Sequence, residues 1–243
     1  LLIDAEPYHL GKTITDDNLK WRRFKDRFDY VVGFGSDDDI LWPYAKSTIT
    51  TDVLFRDPHP TTEKEDVIVF INSNCNTWGN KRENIVKQMK KDGRIEVKAY
   101  GACLNNANLK GLKIEGGVDD KKLAEKFTAM HKAKFCVAME NSVVTDYVSE
   151  KVWEALACGC LPIYLGDFST LERRLPQHIH DMVLSMKDFD YDTKQLMDFL
   201  VELSKDDSRY DTYMTWKYKQ PLNRFVEFRR NVIKDTRVKM CEV

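Results

Sequence analysis

The chain has 243 residues, 42% of them hydrophobic and 32% charged, with a formal net charge of −1. That balance belongs to a globular protein with one large core or two modest ones, and it gives no general attraction to nucleic acid or to an anionic membrane. No apolar run approaches the roughly 20 residues that span a bilayer, and Leu1, Leu2 and Ile3 are too few for a signal peptide, so the expectation is a soluble chain whose positive sites are local.

Residues 1–4 read as a strand and 29–34 as another, with a charged, helix-compatible stretch (DDNLKWRRFKDRF) between them. This is only the tail of an α/β domain, so 1–60 is read as a partial first domain, in a fragment or in a chain whose first domain is reduced. Pro58, Pro60 and a charge cluster mark 59–66 as a linker. Beyond it strands and helices alternate: strand 67–73, helix 81–91, strand 94–100, helix 119–132, strand 135–139, helix 150–158, strands 161–165 and 182–184, and helix 193–203. The last helix carries Leu196, Phe199, Leu200 and Leu203 on one face. Such alternation predicts a mainly parallel sheet with helices on both faces, an α/β, Rossmann-like doubly wound domain over 67–210. A further helix beginning at 221, with Phe225 and Phe228 at core spacing, belongs to a segment 211–243 expected to brace the two domains.

Cys75, Cys103, Cys136, Cys158, Cys160 and Cys241 lack the density of a disulfide scaffold and read mostly as buried thiols. Cys158-Gly159-Cys160 has no second pair to complete a zinc site. The absence of any N-x-S/T sequon speaks against a long stay in a eukaryotic secretory lumen, so a cytoplasmic location (bacterial, viral or cytosolic) is favoured over the Golgi lumen.

Functional groups are densest in 135–166, FCVAMENSVVTDYVSEKVWEALACGCLPIYLG. An apolar strand leads into a loop bearing Glu140, Asn141, Asp146, Tyr147, Ser149, Glu150 and Lys151, far more than a turn requires. Ligands of open α/β sheets bind at the carboxyl edge, so this loop reads as a ligand pocket. The segment resembles the core motif of the α-1,3/4-fucosyltransferase family, with Glu140-Asn141-Ser142, Tyr147-Val148, Glu150-Lys151, Ala155, Gly159, Pro162 and Gly166 in register. FDYVVGFGSDDDILWPYA and YGACLNN resemble two further stretches of that family, so the likeness runs from about Ala5 to about Trp216. Ser149 stands where threonine is usual and Met139 where an aromatic is usual.

The resemblance implies a GT-B type glycosyltransferase with two facing Rossmann-like domains. It would transfer L-fucose from GDP-fucose to a glycan hydroxyl, in an α-1,3-type linkage and with inversion. A related GT-B transferase using another nucleotide sugar, and a non-catalytic sugar-nucleotide-binding domain, are the alternative readings. The implied partners are the nucleotide-sugar donor and a glycan acceptor, not nucleic acid. No cofactor beyond the donor is required, and a divalent metal is compatible but not implied.

A diphosphate calls for cations and backbone amides, which helix starts supply. The resemblance puts a phosphate-binding arginine at Arg82, whose alternative is a solvated helix-face residue. Lys151 would face the phosphates as a point charge and Glu150 would accept hydrogen bonds from ribose or donor sugar, against a bland surface role for the pair. Glu140, Asn141 and Ser149 complete the donor set. Tyr147 is either a stacking partner or an ordinary core aromatic, and Glu154 matches an acid that contacts the ribose in many transferases with two facing domains. Glu6, which follows the first strand and precedes Pro7, resembles the family's catalytic glutamate, a general base for the acceptor hydroxyl; the alternative is a turn carboxylate. Asp37, Asp38 and Asp39 read as a solvated turn rather than a manganese site, and His178 and His180 lack a third ligand.

Overall fold

The computed structural model describes residues 2–4, 31–33, 40–41, 51–75, 82–109, 121–174 and 179–218. Three short strands, β1 (Leu2–Asp4), β2 (Val31–Gly33) and β3 (Ile40–Leu41), pair in parallel in that order. The first two fall where the sequence predicts strands; β3 is additional. A short helix, α1 (Thr51–Leu54), follows.

The larger sheet holds β4 (Glu65–Ile71), β5 (Glu96–Tyr100), β6 (Ala133–Met139), β7 (Leu161–Leu165) and β8 (Leu184–Ser185). Its spatial order is β5-β4-β6-β7-β8, and every pairing is parallel. Helices α2 (Arg82–Asp92), α3 (Lys121–His131) and α4 (Glu150–Ala157) make the crossovers between β4, β5, β6 and β7. After β7 comes α5 (Phe168–Arg174), and after β8 come α6 (Thr193–Ser204) and α7 (Asp207–Thr212).

Alternation along β4 splits the core in two, as a pleated strand must. Val67 and Val69 join a cluster with Leu123 and Phe127 of α3 and Val152, Trp153 and Leu156 of α4. Ile68 and Phe70 face the other way, into a cluster with Val86 and Met89 of α2 and Leu196, Leu200 and Leu203 of α6. Covered on both faces, β6 and β7 read as nearly continuous apolar runs, AKFCVAM and LPIYL.

Strand order also fixes where a ligand can lie. From β4 the chain crosses to β5 on one side, whereas β6, β7 and β8 extend the sheet on the other. The carboxyl ends of β4 and β6 therefore flank the crevice that this topology opens.

The cysteine reading needs correction. Cys75 is bonded to Cys103 and Cys136 to Cys160, while Cys158 is a free, buried thiol. Parallel pairing brings the exits of β4 and β5 together, and Cys136 of β6 next to the start of β7, with Cα separations of 5.2 and 5.7 Å. Partners 28 and 24 residues apart carry no local signature in the sequence. Cys241 and the helix expected from residue 221 lie outside the described residues.

Candidate functional site at the carboxyl edge

Glu140 is the first residue beyond β6, and its N–H donates to Leu165 O at 2.7 Å, clamping the ends of β6 and β7 together. Its carboxylate is fully buried. Oε1 accepts from the Ser149 N–H at 2.8 Å; Oε2 accepts from the Ser149 hydroxyl and lies 3.5 Å from Lys151 Nζ. Burial pushes the Glu140 carboxyl above its ordinary range, opposed by Lys151 and the two Ser149 bonds. Lys151 Nζ in turn donates to Ser149 Oγ at 2.8 Å and sits 3.7 Å from Glu150 Oε1.

That arrangement has a consequence for α4. Ser149 occupies the N-cap position, yet its side chain makes no capping hydrogen bond because the hydroxyl is turned to Glu140. Ser149 therefore supplies no side-chain cap to the helix start, and the positive end of the helix dipole lies next to a lysine ammonium. Lys151 and Glu150 keep 15% and 26% of their side-chain surface open, so these two can meet a ligand while Glu140 and Ser149 support them from beneath. Asn141 adds a buried Oδ1 with no hydrogen-bond partner among the described residues.

Arg82, the first residue of α2, reaches into the crevice between β4 and β6. Nη1 donates to Met139 O at 2.9 Å, Nη2 to Asn74 O at 3.0 Å, and Nε to Glu83 Oε1 at 3.2 Å. It is fully buried, so the solvated helix-face alternative fails. Tyr147 is buried, placing its ring in the core. Glu154, one turn into α4, is also buried and is ion-paired with Lys126 of α3.

One supporting device was not legible in the sequence. Asp146 adopts a left-handed backbone, φ 69°, and is fastened to α5. Its N–H donates to Thr170 Oγ1 at 3.0 Å, its carboxylate accepts from Arg173 at 2.9 Å and its carbonyl accepts from Arg174 at 2.9 Å. These bonds span 24 to 28 positions, beyond any local spacing rule. Glu6, Asp37, Asp38, Asp39 and His178 lie outside the described residues. His180 is exposed, 3.7 Å from both Glu172 and Asp188. Among the described residues no three His, Cys, Asp or Glu side chains converge as a metal site would require.

The profile described as "Glycosyltransferase family 10 (fucosyltransferase) C-term" matches residues 61–243. The chain belongs to glycosyltransferase family 10. Within that family, GDP-fucose protein O-fucosyltransferase 3 of Rattus norvegicus is 32% identical over 153 residues, which is 63% of this chain and 30% of the rat protein. Alpha-(1,3)-fucosyltransferase B of Drosophila melanogaster is 29% identical over 150 residues, 62% of this chain and 32% of that protein. The chain thus spans about a third of the length of the curated relatives it matches. A crystal structure of an α1,3-fucosyltransferase with GDP-fucose superposes with a TM-score of 0.57 at 19% identity, covering 80% of this chain and 62% of that one. A second, with GDP, gives 0.57 at 17% identity, covering 96% and 77%. The α/β fold expected from the sequence is the fold these structures share.

The family 10 relatives overturn the cytoplasmic expectation. GDP-fucose protein O-fucosyltransferase 3 recurs among them in chicken, rat and human, so they are animal enzymes rather than bacterial or viral ones. The two disulfides agree, since such bonds persist in oxidising compartments and are rare in the cytosol. A missing sequon carried no information about compartment.

Proposed function

We propose that this chain supplies the donor side of a fucosyltransferase that passes L-fucose from GDP-fucose to an acceptor hydroxyl with inversion. The observation that carries the reading is the start of α4, whose N-cap hydroxyl is turned to Glu140 and which carries Lys151, at the carboxyl edge of a family 10 sheet. A diphosphate suits that place: the helix dipole and the ammonium both favour negative charge. Glu150 accepts from hydroxyls of ribose or fucose, Asn141 Oδ1 accepts from a donor N–H or O–H, and Arg82 holds the two strand exits between which the donor lies. In a single displacement the acceptor oxygen attacks the anomeric carbon as the bond to GDP breaks. The negative charge that develops on the diphosphate is met by Lys151 and the helix start, already in place before the reaction. Residues 1–60 are assigned to the acceptor side, and Glu6 is the base we propose for the acceptor proton.

Lys151→Ala should weaken GDP binding by about 1.5–3 kcal/mol, the contribution of one charge-assisted contact. Titration calorimetry reads this directly, and unchanged affinity would remove the phosphates from α4. Glu6→Gln should keep donor affinity and lose about 10²–10⁴-fold in turnover, because an amide cannot take a proton at neutral pH. NMR of the product should show the β-linked donor sugar converted to an α-linkage; a retained configuration excludes the single displacement. Two acceptors are compared in the same assay, a glycan hydroxyl and the Ser or Thr hydroxyl of a folded protein. The second is suggested by the name of the protein O-fucosyltransferase relatives.

A further inference from the structure

The Cys75–Cys103 disulfide lies at the donor crevice and the Cys136–Cys160 disulfide does not. We infer that Cys75–Cys103 is a positioning brace for the donor crevice, holding Arg82 and, through it, the chain entering Glu140 and Asn141. The inference rests on the donor reading given above.

Beyond Ile71 and Tyr100 the strand ladder between β4 and β5 ends, and their exits have to be held by other means. The Asn72 N–H donates to Tyr100 O at 3.1 Å and the Cys103 N–H to Asn72 O at 3.0 Å. Gly101, at φ 85°, approaches so closely that a Cβ there would stand 2.5 Å from Asn72 O. The disulfide closes this contact covalently. Within the segment it fixes, Asn72 Nδ2 donates to Asn74 O at 2.6 Å, and the same carbonyl accepts from Arg82 Nη2 at 3.0 Å. The other arm of the guanidinium donates to Met139 O at 2.9 Å, immediately before Glu140. A guanidinium is planar, with donors at fixed angles, so a displaced Asn74 carbonyl either drags the fork or loses one of its arms. The path from disulfide to donor loop consists of named contacts in sequence: Cys75 to Asn74, Asn74 to Arg82, Arg82 to Met139.

The second disulfide supplies the control. Cys136 and Cys160 are buried in the core cluster that also contains residues of α3 and α4. Removing that bond relaxes the core without touching the exits of β4 and β5. Cys75, by contrast, is exposed, so Cys75→Ser breaks the brace while Cys103 keeps its place in the apolar cluster on the α2 side.

The test compares Cys75→Ser with the paired variant Cys136→Ala/Cys160→Ala, each confirmed folded by circular dichroism well below its Tm. Calorimetry measures GDP binding, and hydrogen exchange measures protection of the amides in 72–75 and 140–149. Cys75→Ser should bind GDP roughly tenfold more weakly, because the crevice is no longer preorganised. It should also exchange faster in both segments. The paired variant should lower Tm and leave both readouts at the parental level. Parental GDP affinity in folded Cys75→Ser overturns the inference, as does an equal loss in both variants, which would make the effect one of general stability. If the parent binds no GDP the donor reading fails, and exchange alone then decides: unaltered protection of 140–149 in Cys75→Ser overturns the brace.

Discussion

At Gly166 a Cβ would stand 2.3 Å from Tyr164 Oη, 2.6 Å from Tyr164 Cζ and 2.9 Å from Glu140 Cγ. Its φ is not in the left-handed region, so space and not backbone conformation demands glycine here. Tyr164 and Glu140 are both buried and cannot retreat into solvent. Gly166→Ala should therefore destabilise the fold by roughly 1–3 kcal/mol, the range for overpacking a filled site. It should also displace the carboxylate that holds Ser149 and Lys151. Urea denaturation measures the first effect and GDP affinity the second; an unaltered denaturation midpoint would show that Tyr164 moves aside freely. At this scale the motif was legible where the residues it groups lie close along the chain, as Glu140, Ser149, Glu150 and Lys151 do. It served poorly where the partner is remote. Arg82 read as a choice between ligand and solvated surface, but its guanidinium lies on carbonyls 8 and 57 positions away. Four cysteines read as thiols because their partners become neighbours only when the parallel sheet forms.

Element positions were legible wherever a run was long enough to show a period. The predicted helices 81–91, 119–132, 150–158 and 193–203 correspond to α2, α3, α4 and α6. Strand starts were less so. The prediction opens β4 at 67, whereas the strand begins at Glu65, and it opens β6 at 135, whereas the strand begins at Ala133. Three of the four extra residues, Glu65, Asp66 and Lys134, are charged and satisfied laterally: Lys98 pairs with Glu65, and Lys134 Nζ lies 2.7 Å from Asp66 and 2.9 Å from Asp207. Polar residues placed in a strand by their neighbours leave no apolar alternation to read. Helices α5 and α7, at 7 and 6 residues, are too short for a helical period to register. Missing α5 meant missing Arg173 and Arg174, and with them the fastening that holds Asp146 before Tyr147.

Across the whole molecule, the two edges of the large sheet carry opposite chemistry. The carboxyl edge carries the partly open Lys151 and Glu150 proposed to meet the donor, while the amino edge buries two lysine ammonium groups. Lys64 Nζ donates to His131 O at 2.7 Å, and Lys217 Nζ donates to the carbonyls of Leu54, Ala157 and Arg56 at 2.8, 3.2 and 3.2 Å. Burial pulls Lys217 down to about 7 and Lys64 to about 8, from 10.5 for each. Between those values and 10.5 the unfolded chain binds more protons than the folded one, so folding stability rises with pH there. Cys158 acts in the other direction: burial pushes its thiol from 9.0 to about 12, so its contribution lowers stability only above pH 9. The window from pH 7 to 9 thus isolates the lysines. Tm should be higher at pH 9 than at pH 7, with a slope no greater than about 1.4 kcal/mol per pH unit for each lysine. Lys217's three carbonyl acceptors favour the ammonium and reduce the slope below that ceiling. In Lys217→Met the rise should shrink to the share that Lys64 supplies, because an apolar side chain of similar length fills the same space without titrating. A parental Tm that is flat or falls over this window would mean that the carbonyls outweigh burial and keep both ammonium groups charged. Since Lys217 joins α1, the end of α4 and the 215–217 segment at the edge opposite the proposed donor site, the same titration should leave GDP affinity in Lys217→Met equal to that of the parent at each pH.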